Sequence, residues 1–291
     1  MQPPAPILFL PKGGLGNQLI QCAHLALLAD LFEEKRELLV SSLFYQPWLN
    51  RSLRWQPRNL CRPVLEYVGC PLRETSIIPL LRYWPRIRLL YDLTHHSIDS
   101  AIFSHRFRAT MFIASGYCHL PLVFDKSNMY WKNMADSLSS RIADRGKHVS
   151  ACHFRFGDYL TTKNRAIYAS QSVSEVLQRC LDRCDVTHNN MKISVFTDDP
   201  ARFTNLCPTH LAKYIQLHSP RSAFEDFISL AAHQIIFASN STFSLAAGRI
   251  SSLLYGKAST ILPPTWFVDP RRNASELAKW SRLDYIIKDS V

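Results

Sequence analysis

Four short segments carry the residue types from which a phosphate-binding and group-transfer site is built. The first is Gly13–Gln18 (GGLGNQ), in which three glycines within four residues let the backbone approach a ligand closely. A helix predicted to begin near Gln18 would add its positive N-terminus, which suits a phosphate. The segment is neither a P-loop nor a dinucleotide GxGxxG turn. A turn with a purely structural role is the alternative interpretation.

The second segment is His153–Tyr159 (HFRFGDY), which begins within the last residues of a predicted strand. Strand alternation places His153 and Arg155 on one side and the two phenylalanines on the other. Arg155 would then lie at the carboxyl end of a sheet strand, where open α/β folds bind ligands. Its guanidinium holds a phosphate through two hydrogen bonds and stays charged at any relevant pH. A structural ion pair with Asp158 is the alternative.

The third segment is a strand that ends in Asp198 and Asp199, followed by Pro200. Metal-dependent nucleotide-sugar transferases usually carry Asp-x-Asp, which puts both carboxylates on one side of an extended chain. Adjacent aspartates do not share a side. Asp199 with Pro200 equally fits the N-cap of the next helix.

The fourth segment is 239–244 (SNSTFS), a hydroxyl-rich strand exit at the predicted start of a helix. Capping explains one of these hydroxyls, and the others suit a second phosphate contact. On the preceding predicted helix, Asp226 or Glu225 would accept hydrogen bonds from the N1–H and N2–H groups of guanine.

The elements that position these segments follow from hydrophobic spacing. Ile7–Leu10 predicts a buried strand before the glycine turn, whereas the proline-rich region 41–130 predicts short helices and loops. From residue 147 strands alternate with helices, which indicates a mostly parallel, doubly wound sheet. Strands are predicted at Val149–Phe154, Lys192–Phe196, Tyr214–Leu217, Gln234–Ala238 and Ser259–Leu262, and helices at Val173–Cys184, Ala201–Leu206, Ala223–His233 and Thr242–Leu254.

Composition and charge narrow the class of protein. With 47% apolar and 20% charged residues among 291, disorder, collagen and coiled coil are excluded. The 34 basic and 23 acidic residues give a net charge of +11, and residues 51–108 alone hold ten arginines and four acids. This balance is compatible with an RNA-binding module, an anionic membrane surface or a phosphate-bearing substrate. No RRM, KH or OB signature supports the RNA-binding alternative.

The absence of a recognisable targeting signal and the spacing of the cysteines predict a cytoplasmic protein. The chain shows no signal-peptide pattern after Met1 and no apolar run near the ~20 residues that a membrane span needs. Its eight cysteines lack zinc spacing, and Cys180 and Cys184, one helical turn apart, are expected to pack in the core. We therefore expect reduced thiols in a cytoplasmic protein.

In this order the four segments resemble the α-1,2-fucosyltransferase family, glycosyltransferase family 11. That family carries a GGLGNQ-type turn, an HxRRGDY motif, a strand that ends in Asp-Asp and an ED…NSTFS segment, and here these span residues 13–244. The resemblance implies an α/β, GT-B-like fold of two Rossmann-type domains with a donor cleft between them. Together with the regular alternation of strands and helices that begins near residue 147, the resemblance predicts an acceptor-side domain at 1–145 and a GDP-fucose-binding domain at 146–270. A C-terminal segment at 271–291 is expected to pack back across the boundary.

The activity implied by the resemblance is inverting transfer of L-fucose from GDP-β-L-fucose to the 2-hydroxyl of a terminal β-galactoside. It would need no metal and no cofactor. The acceptor would be a β-galactoside-terminated oligosaccharide or a lipid-linked glycan, and no nucleic acid partner is expected. An α-1,6 or protein O-fucosyltransferase of the same superfamily is the alternative. If the acceptor is lipid-linked, the arginine-rich region would hold the enzyme at an anionic inner membrane face.

The resemblance also assigns roles to residues. Arg155 would hold the β-phosphate, and Asp158 is the candidate general base unless it orients Arg155. A loose transition state could make a base dispensable. The motif's second arginine is Phe156 here, which puts any interdomain or acceptor contact of that arginine in doubt. The predicted donor-binding residues are Gly14, Leu15, Gly16 and Asn17 at the phosphates, Ser241, Thr242 and Phe243 at the pyrophosphate and fucose, Asp226 at guanine with His153 beside it, and Asp198.

Overall fold

A computed structural model describes residues 5–9, 13–31, 37–41, 72–75, 87–91, 111–115, 121–125, 129–143, 148–184, 192–219, 221–256 and 258–288. The chain divides into two compact units, Met1–Ser137 and Leu138–Val291. The division falls within helix α2 (Met129–Ala143), which α1 (Leu15–Leu31) precedes in the described part of the chain. The boundary predicted at 145 and the return of segment 271–291 to the first domain stay predictions.

The described part of the first unit contains a sheet of five parallel strands. Their order is β3-β2-β1-β5-β4, so the glycine segment leaves β1 where the strand order reverses. Short helices and loops were expected between residues 41 and 130, but three of the strands lie there. These strands are too short, and too far apart in the chain, for a periodic signal. They are β1 (Ile7–Phe9), β2 (Leu38–Ser41), β3 (Leu72–Thr75), β4 (Ile87–Tyr91) and β5 (Met111–Ser115).

The second unit is built on a six-stranded parallel sheet in the order β11-β10-β9-β6-β7-β8. Numbered from β6, this is the doubly wound order 3-2-1-4-5-6 read from one edge to the other. Its strands are β6 (His148–Phe154), β7 (Ile193–Thr197), β8 (Ile215–Leu217), β9 (His233–Phe237), β10 (Ser259–Leu262) and β11 (Ile286–Lys288). The helices are α3 (Thr162–Arg165), α4 (Val173–Cys184), α5 (Pro200–Leu206), α6 (Thr209–Ala212), α7 (Ala223–Ala231), α8 (Thr242–Tyr255) and α9 (Pro270–Trp280).

The core of the second unit follows from the residue spacing of these elements. Strand β7 is buried along its whole length, as expected for a parallel strand covered on both faces. On α4 the buried residues recur at helical spacing, and they include Cys180 and Cys184, which therefore pack as predicted. All described cysteines are free thiols, and burial raises the pKa of Cys180.

The α/β fold class with two Rossmann-type units is confirmed. In the second unit every predicted strand and helix is present, with ends that differ by at most a few residues. One boundary matters for the site: α1 begins at Leu15 rather than near Gln18, so Gly16 and Asn17 lie in its first turn. No helix in the described ranges is both long and apolar enough to span a membrane.

Candidate functional site

The point where the strand order of the second sheet reverses lies between β6 and β9. Arg155 follows the last residue of β6, and residues 238–241 connect β9 to α8. Because β6 and β9 are parallel neighbours, both exits lie at the same edge of the sheet. Open α/β sheets bind ligands outside the carboxyl ends of their strands at such a reversal. Two of the predicted segments are thus brought together here.

Arg155 has a carboxylate partner on the neighbouring strand. Its Nε atom lies 3.4 Å from Oδ2 of Asp198, and both side chains are about three-quarters buried. The pairing follows from the register of β6 and β7, which places Phe154 beside Thr197 and hence the next residues beside each other. Arg155 thus forms an ion pair with Asp198, which the sequence did not predict, and the alternative pair with Asp158 stays a prediction. The side chain of Asp158, at the start of the 3-10 turn Asp158–Leu160, lies outside the described part of the structure.

The carboxylate of Asp198 also fixes the backbone that follows Arg155. Its Oδ1 atom accepts a hydrogen bond from the Phe156 N–H at 2.8 Å. A Cβ added to Gly157 would lie 2.5 Å from Oδ2 of Asp198, so a larger residue there would have to displace this carboxylate. Asp199, in contrast, caps α5 by accepting from the Arg202 N–H at 3.0 Å. The two adjacent aspartates therefore have different roles. Asp198 contacts Arg155 and the backbone after it, and Asp199 caps a helix as predicted.

His153 is buried on the face of β6 opposite to Phe154, as strand alternation predicts. Its Nδ1 atom lies 2.6 Å from Oγ of Ser244 and 2.8 Å from Oγ of Ser239. Burial, with a further contribution from the charge of Arg155, lowers the pKa of His153 to about 3. The imidazole is therefore neutral, and its Nδ1 atom lies within hydrogen-bond distance of two serine hydroxyls. Sequence reasoning assigned these hydroxyls to phosphate and missed the pairing.

The start of α8 is prepared by its own cap. Ser241 accepts a hydrogen bond from the Phe243 N–H at 3.3 Å, which is the one hydroxyl that capping was expected to use. Thr242 and Phe243 are half-buried in the first turn, and the Phe243 ring lies 5.1 Å from that of His153. The first turn of a helix carries a positive partial charge. An anion placed beyond Ser241 would therefore be stabilised.

Asn240 ties three strand exits together. Its carbonyl oxygen accepts a hydrogen bond from the Tyr159 hydroxyl at 2.9 Å, and its amide donates to the Trp266 carbonyl at 3.3 Å. The loops that follow β6, β9 and β10 are thus connected through one residue. The sequence marked Asn240 only as part of a polar run.

The predicted guanine-binding residues lie in the first turn of α7. Asp226 Oδ1 is 3.6 Å from Nε of Arg221, and the Asp226 side chain is mostly buried. Glu225 is more exposed, and its Oε1 atom lies 4.0 Å from a guanidinium nitrogen of Arg141. Of the two carboxylates, that of Asp226 is therefore the more buried and the closer to an arginine.

Phe156, which stands where the resemblance has a second arginine, belongs to the core. It is buried, and its ring stacks on Phe154 at a centroid distance of 6.2 Å. The guanidinium of Arg202 lies 5.7 Å from the Phe156 ring centroid. The expectation that residue 156 points away from Arg155 is confirmed.

The glycine segment of the first unit forms a tight turn into α1. Gly13 has a φ of 74°, and a Cβ there would collide with the Asn17 amide. The Gln18 side chain donates to the Gly13 carbonyl at 2.7 Å and closes the turn. A Cβ on Gly14, however, would meet nothing within 4 Å. Gly14, Leu15, Gly16 and Asn17 thus lie together at a helix start, and their contact with a donor stays a prediction.

Possible metal ligands occur among the residues that the structure describes. These residues contain no group of three or more His, Cys, Asp or Glu side chains arranged to hold an ion.

Comparison with known proteins agrees with this geometry. The model of the family described as glycosyl transferase family 11 matches residues 122–284, which include the arginine segment and the 239–244 segment. No curated protein matches the chain.

Among solved structures, POFUT1 in complex with GDP is similar at a TM-score of 0.53 and 12% identity, covering 90% of this chain and 99% of that one. FUT1 of Arabidopsis thaliana in complex with GDP has a TM-score of 0.49 at 13% identity, covering 85% and 69% of the two chains. The fucosyltransferase NodZ from Bradyrhizobium has a TM-score of 0.45 at 16% identity, covering 84% and 91%. The first likeness confirms the GT-B-like fold, and at this identity it extends to the fold alone.

Proposed function

Because the chain belongs to glycosyl transferase family 11, whose model matches more than half of it, we propose that it is a GDP-fucose-dependent fucosyltransferase. The reaction is inverting transfer of L-fucose from GDP-β-L-fucose to the 2-hydroxyl of a terminal β-galactoside. The observation that carries the proposal is the Arg155–Asp198 pair at the strand-order reversal, beside the start of α8.

The diphosphate of the donor is proposed to bind at this edge of the sheet, beside Arg155 and the start of α8. As the bond to fucose breaks, negative charge grows on the β-phosphate of GDP. The guanidinium of Arg155 and the positive start of α8 offset that charge, which is the role a metal ion fills in other transferases. Asp198 contributes through Arg155, since its carboxylate holds Nε and the adjacent backbone. Ser241, Thr242 and Phe243 complete the pocket for pyrophosphate and fucose.

Base recognition is proposed for the first turn of α7. The carboxylate of Asp226 accepts from the N1–H and N2–H groups of guanine, a pattern that adenine and uracil do not offer. Arg221, 3.6 Å away, orients this carboxylate. His153 supports the site indirectly. Its Nδ1 atom contacts the hydroxyls of Ser239 and Ser244, which begin and end the 239–244 segment. In the first unit, Asn17 and the backbone of 14–16 provide the second helix start for the phosphates.

The acceptor hydroxyl attacks the anomeric carbon from the face opposite to GDP. Its proton passes to a general base, for which Asp158 is the candidate, or to water if the transition state is loose. The chemistry asks for no metal and no cofactor. The acceptor is a β-galactoside-terminated oligosaccharide or a lipid-linked glycan. In the lipid-linked case the arginines of 51–108 favour contact with an anionic membrane.

The donor is tested by a thermal-shift series. We expect GDP to raise the melting temperature while ADP and UDP do not, with no change on addition of EDTA. Stabilisation by all three nucleotides, or loss of the GDP effect with EDTA, would contradict the donor assignment.

The acceptor and linkage are tested by mass spectrometry of products from a glycan panel with GDP-fucose. The panel contains terminal β-galactosides, their 2-deoxy analogues, a core N-glycan and a serine-bearing peptide domain. Fucose added to the β-galactosides, and absent from the 2-deoxy analogues, supports the α-1,2 reaction. Transfer to the N-glycan core or to the peptide would point to the α-1,6 or protein O-fucosyl alternative.

A further inference from the structure

The guanidinium of Arg155 has an aromatic neighbour as well as a carboxylate. The Cζ atom of Arg155 lies 5.8 Å from the ring centroid of Tyr159, within the reach of a cation–π contact. Tyr159 follows Arg155 by four residues and lies in the 3-10 turn Asp158–Leu160 after β6. Arg155 is therefore contacted by Asp198 at Nε and by the ring of Tyr159.

Tyr159 is the first ring of a column that runs away from the arginine. Its ring stacks on Tyr168 at a centroid distance of 4.3 Å and an interplanar angle of 13°. Tyr168 in turn stacks on Phe267 at 5.6 Å, and Cζ of Arg272 lies 3.9 Å from the Phe267 centroid. We call Tyr159, Tyr168 and Phe267 the aromatic column. It has an arginine at each end.

The aromatic column is fixed by backbone hydrogen bonds at its far end. Tyr168 and Phe267 form an isolated antiparallel bridge, and the Val268 N–H donates to the Ile167 carbonyl at 3.2 Å. At the near end, the Tyr159 hydroxyl donates to the carbonyl of Asn240, two residues before the start of α8. The ring of Tyr159 is thus held at one face and at its hydroxyl.

We propose that Tyr159 is a positioning residue for Arg155, and that the aromatic column holds it in that role. A long arginine side chain loses rotamer freedom when it binds a phosphate, and a ring that already restricts the guanidinium reduces that loss. The inference rests on the proposed function, because the ligand for which Arg155 is held is the diphosphate of the donor. Purely structural stacking of the three loops is the competing explanation.

The test measures GDP affinity by calorimetry, which needs no acceptor. In Tyr159→Leu the ring is absent, and we expect the dissociation constant for GDP to rise about 3- to 30-fold, the range that a cation–π contact supports. Tyr159→Phe keeps the ring that faces Arg155 and loses only the hydroxyl that contacts Asn240, so its affinity should stay closer to the parent's than that of Tyr159→Leu. In an Arg155→Ala background the Tyr159→Leu change should have no further effect, since the group it positions is gone.

Fluorinated phenylalanines at position 159 separate positioning from packing. They keep the shape of the ring but weaken its negative face, so GDP affinity should fall stepwise with the number of fluorines while the melting temperature without ligand stays constant. These variants also decide the matter if Tyr159→Leu does not fold. A flat response to fluorination, or equal losses from Tyr159→Leu with and without Arg155, would overturn the inference.

Failure of the donor assignment gives a different result. If the parent protein does not bind GDP, the proposed function is wrong and the positioning role falls with it. If the parent binds GDP and Arg155→Ala weakens binding, but Tyr159→Leu and the fluorinated variants bind as the parent does, the proposed function stands and the positioning role alone is wrong.

Discussion

Nδ1 of His153 lies 2.6 Å from Oγ of Ser244, so the end of β6 is joined directly to the first turn of α8. Ser239, at 2.8 Å from the same nitrogen, adds the exit of β9 to this contact. A buried neutral imidazole between two hydroxyls thus sets the shape of the turn that is proposed to receive the pyrophosphate. The contact makes both stability and donor binding depend on one side chain.

The first prediction concerns acid sensitivity. Because burial lowers the pKa of His153 to about 3, the unfolded chain takes up a proton near pH 6.5 that the folded chain does not bind. The contribution of neutral His153 to the free energy of unfolding is therefore complete above pH 6.5. It declines by about 1.4 kcal/mol per pH unit as the pH falls towards 3. His24, with a pKa lowered by burial to about 4, acts in the same direction.

We therefore expect the unfolding free energy from urea titrations to fall between pH 7.5 and pH 5. Replacing His153 by Asn should remove about 2 kcal/mol of that fall, which is 1.5 pH units at the slope above. The exposed His210, changed to Asn, is the matched control for the same substitution at the surface. A parent slope that His153→Asn does not change would mean that this histidine is not buried in neutral form.

The second prediction concerns the arginine proposed to hold the β-phosphate. Arg155→Ala and Arg155→Lys should both lower kcat by about 100- to 1000-fold, because one preorganised donor to a developing oxyanion is typically worth that much. Lysine keeps the charge and loses the two-pronged geometry. The exposed Arg282, changed to Lys, serves as the control. Substantial fucose transfer by Arg155→Lys, measured with GDP-fucose and a galactoside, would rule out the bidentate role.

The third prediction separates two adjacent aspartates. Asp198→Asn keeps an oxygen for the Phe156 N–H but removes the charge beside Arg155, so kcat should fall about tenfold, as for the loss of one charge-assisted hydrogen bond. Asp199→Asn keeps a good N-cap and should be close to the parent in both activity and stability. Asp199→Ala should lower the unfolding free energy by about 1 kcal/mol without changing kcat. Equal effects of the two Asn variants on kcat would contradict this division of roles.

The fourth prediction uses two adjacent glycines of the first unit. Gly13→Ala should destabilise the protein by more than about 1 kcal/mol, because an alanine is strained at a φ of 74° and its Cβ meets the Asn17 amide. Gly14→Ala has open space at Cβ and should melt within a few degrees of the parent. If the donor phosphates pack on this backbone as proposed, Gly14→Ala nevertheless weakens GDP binding, measured by calorimetry. Unchanged GDP affinity would remove Gly14 from the donor site.

The fifth prediction tests the general base. If Asp158 takes the acceptor proton, Asp158→Asn should lower kcat by about 100-fold or more and remove the acidic limb of the pH–rate profile, while GDP affinity stays unchanged. If Asp158 instead orients Arg155, the variant loses GDP affinity and keeps the shape of the profile. Calorimetry with GDP, together with kcat between pH 5 and pH 9, distinguishes these two roles.

The sequence predicted the second unit well because its elements have long enough periodic patterns. Helix α4 was placed to the residue, and the opposite orientations of His153 and Phe154 followed from strand alternation. The pairing of Arg155 with Asp198 was not predictable in the same way, because the two residues are near only through the parallel register of β6 and β7. The pairing of His153 with two serines likewise joins residues 86 and 91 positions apart. Contacts of this kind come from topology, and local pattern does not report them.

Strand β6 pairs with β9 on one side and β7 on the other. A central strand exchanges its amide hydrogens only when the whole unit opens, whereas loops and edge strands exchange through local openings. Arg155 is attached to this strand. The anchor of the arginine is therefore expected to be among the last parts of the unit to exchange in deuterium, and GDP should slow exchange mainly in the loops that follow β6, β9 and β10. The enzyme would then admit and release successive donors without loosening the strand that carries its essential charge.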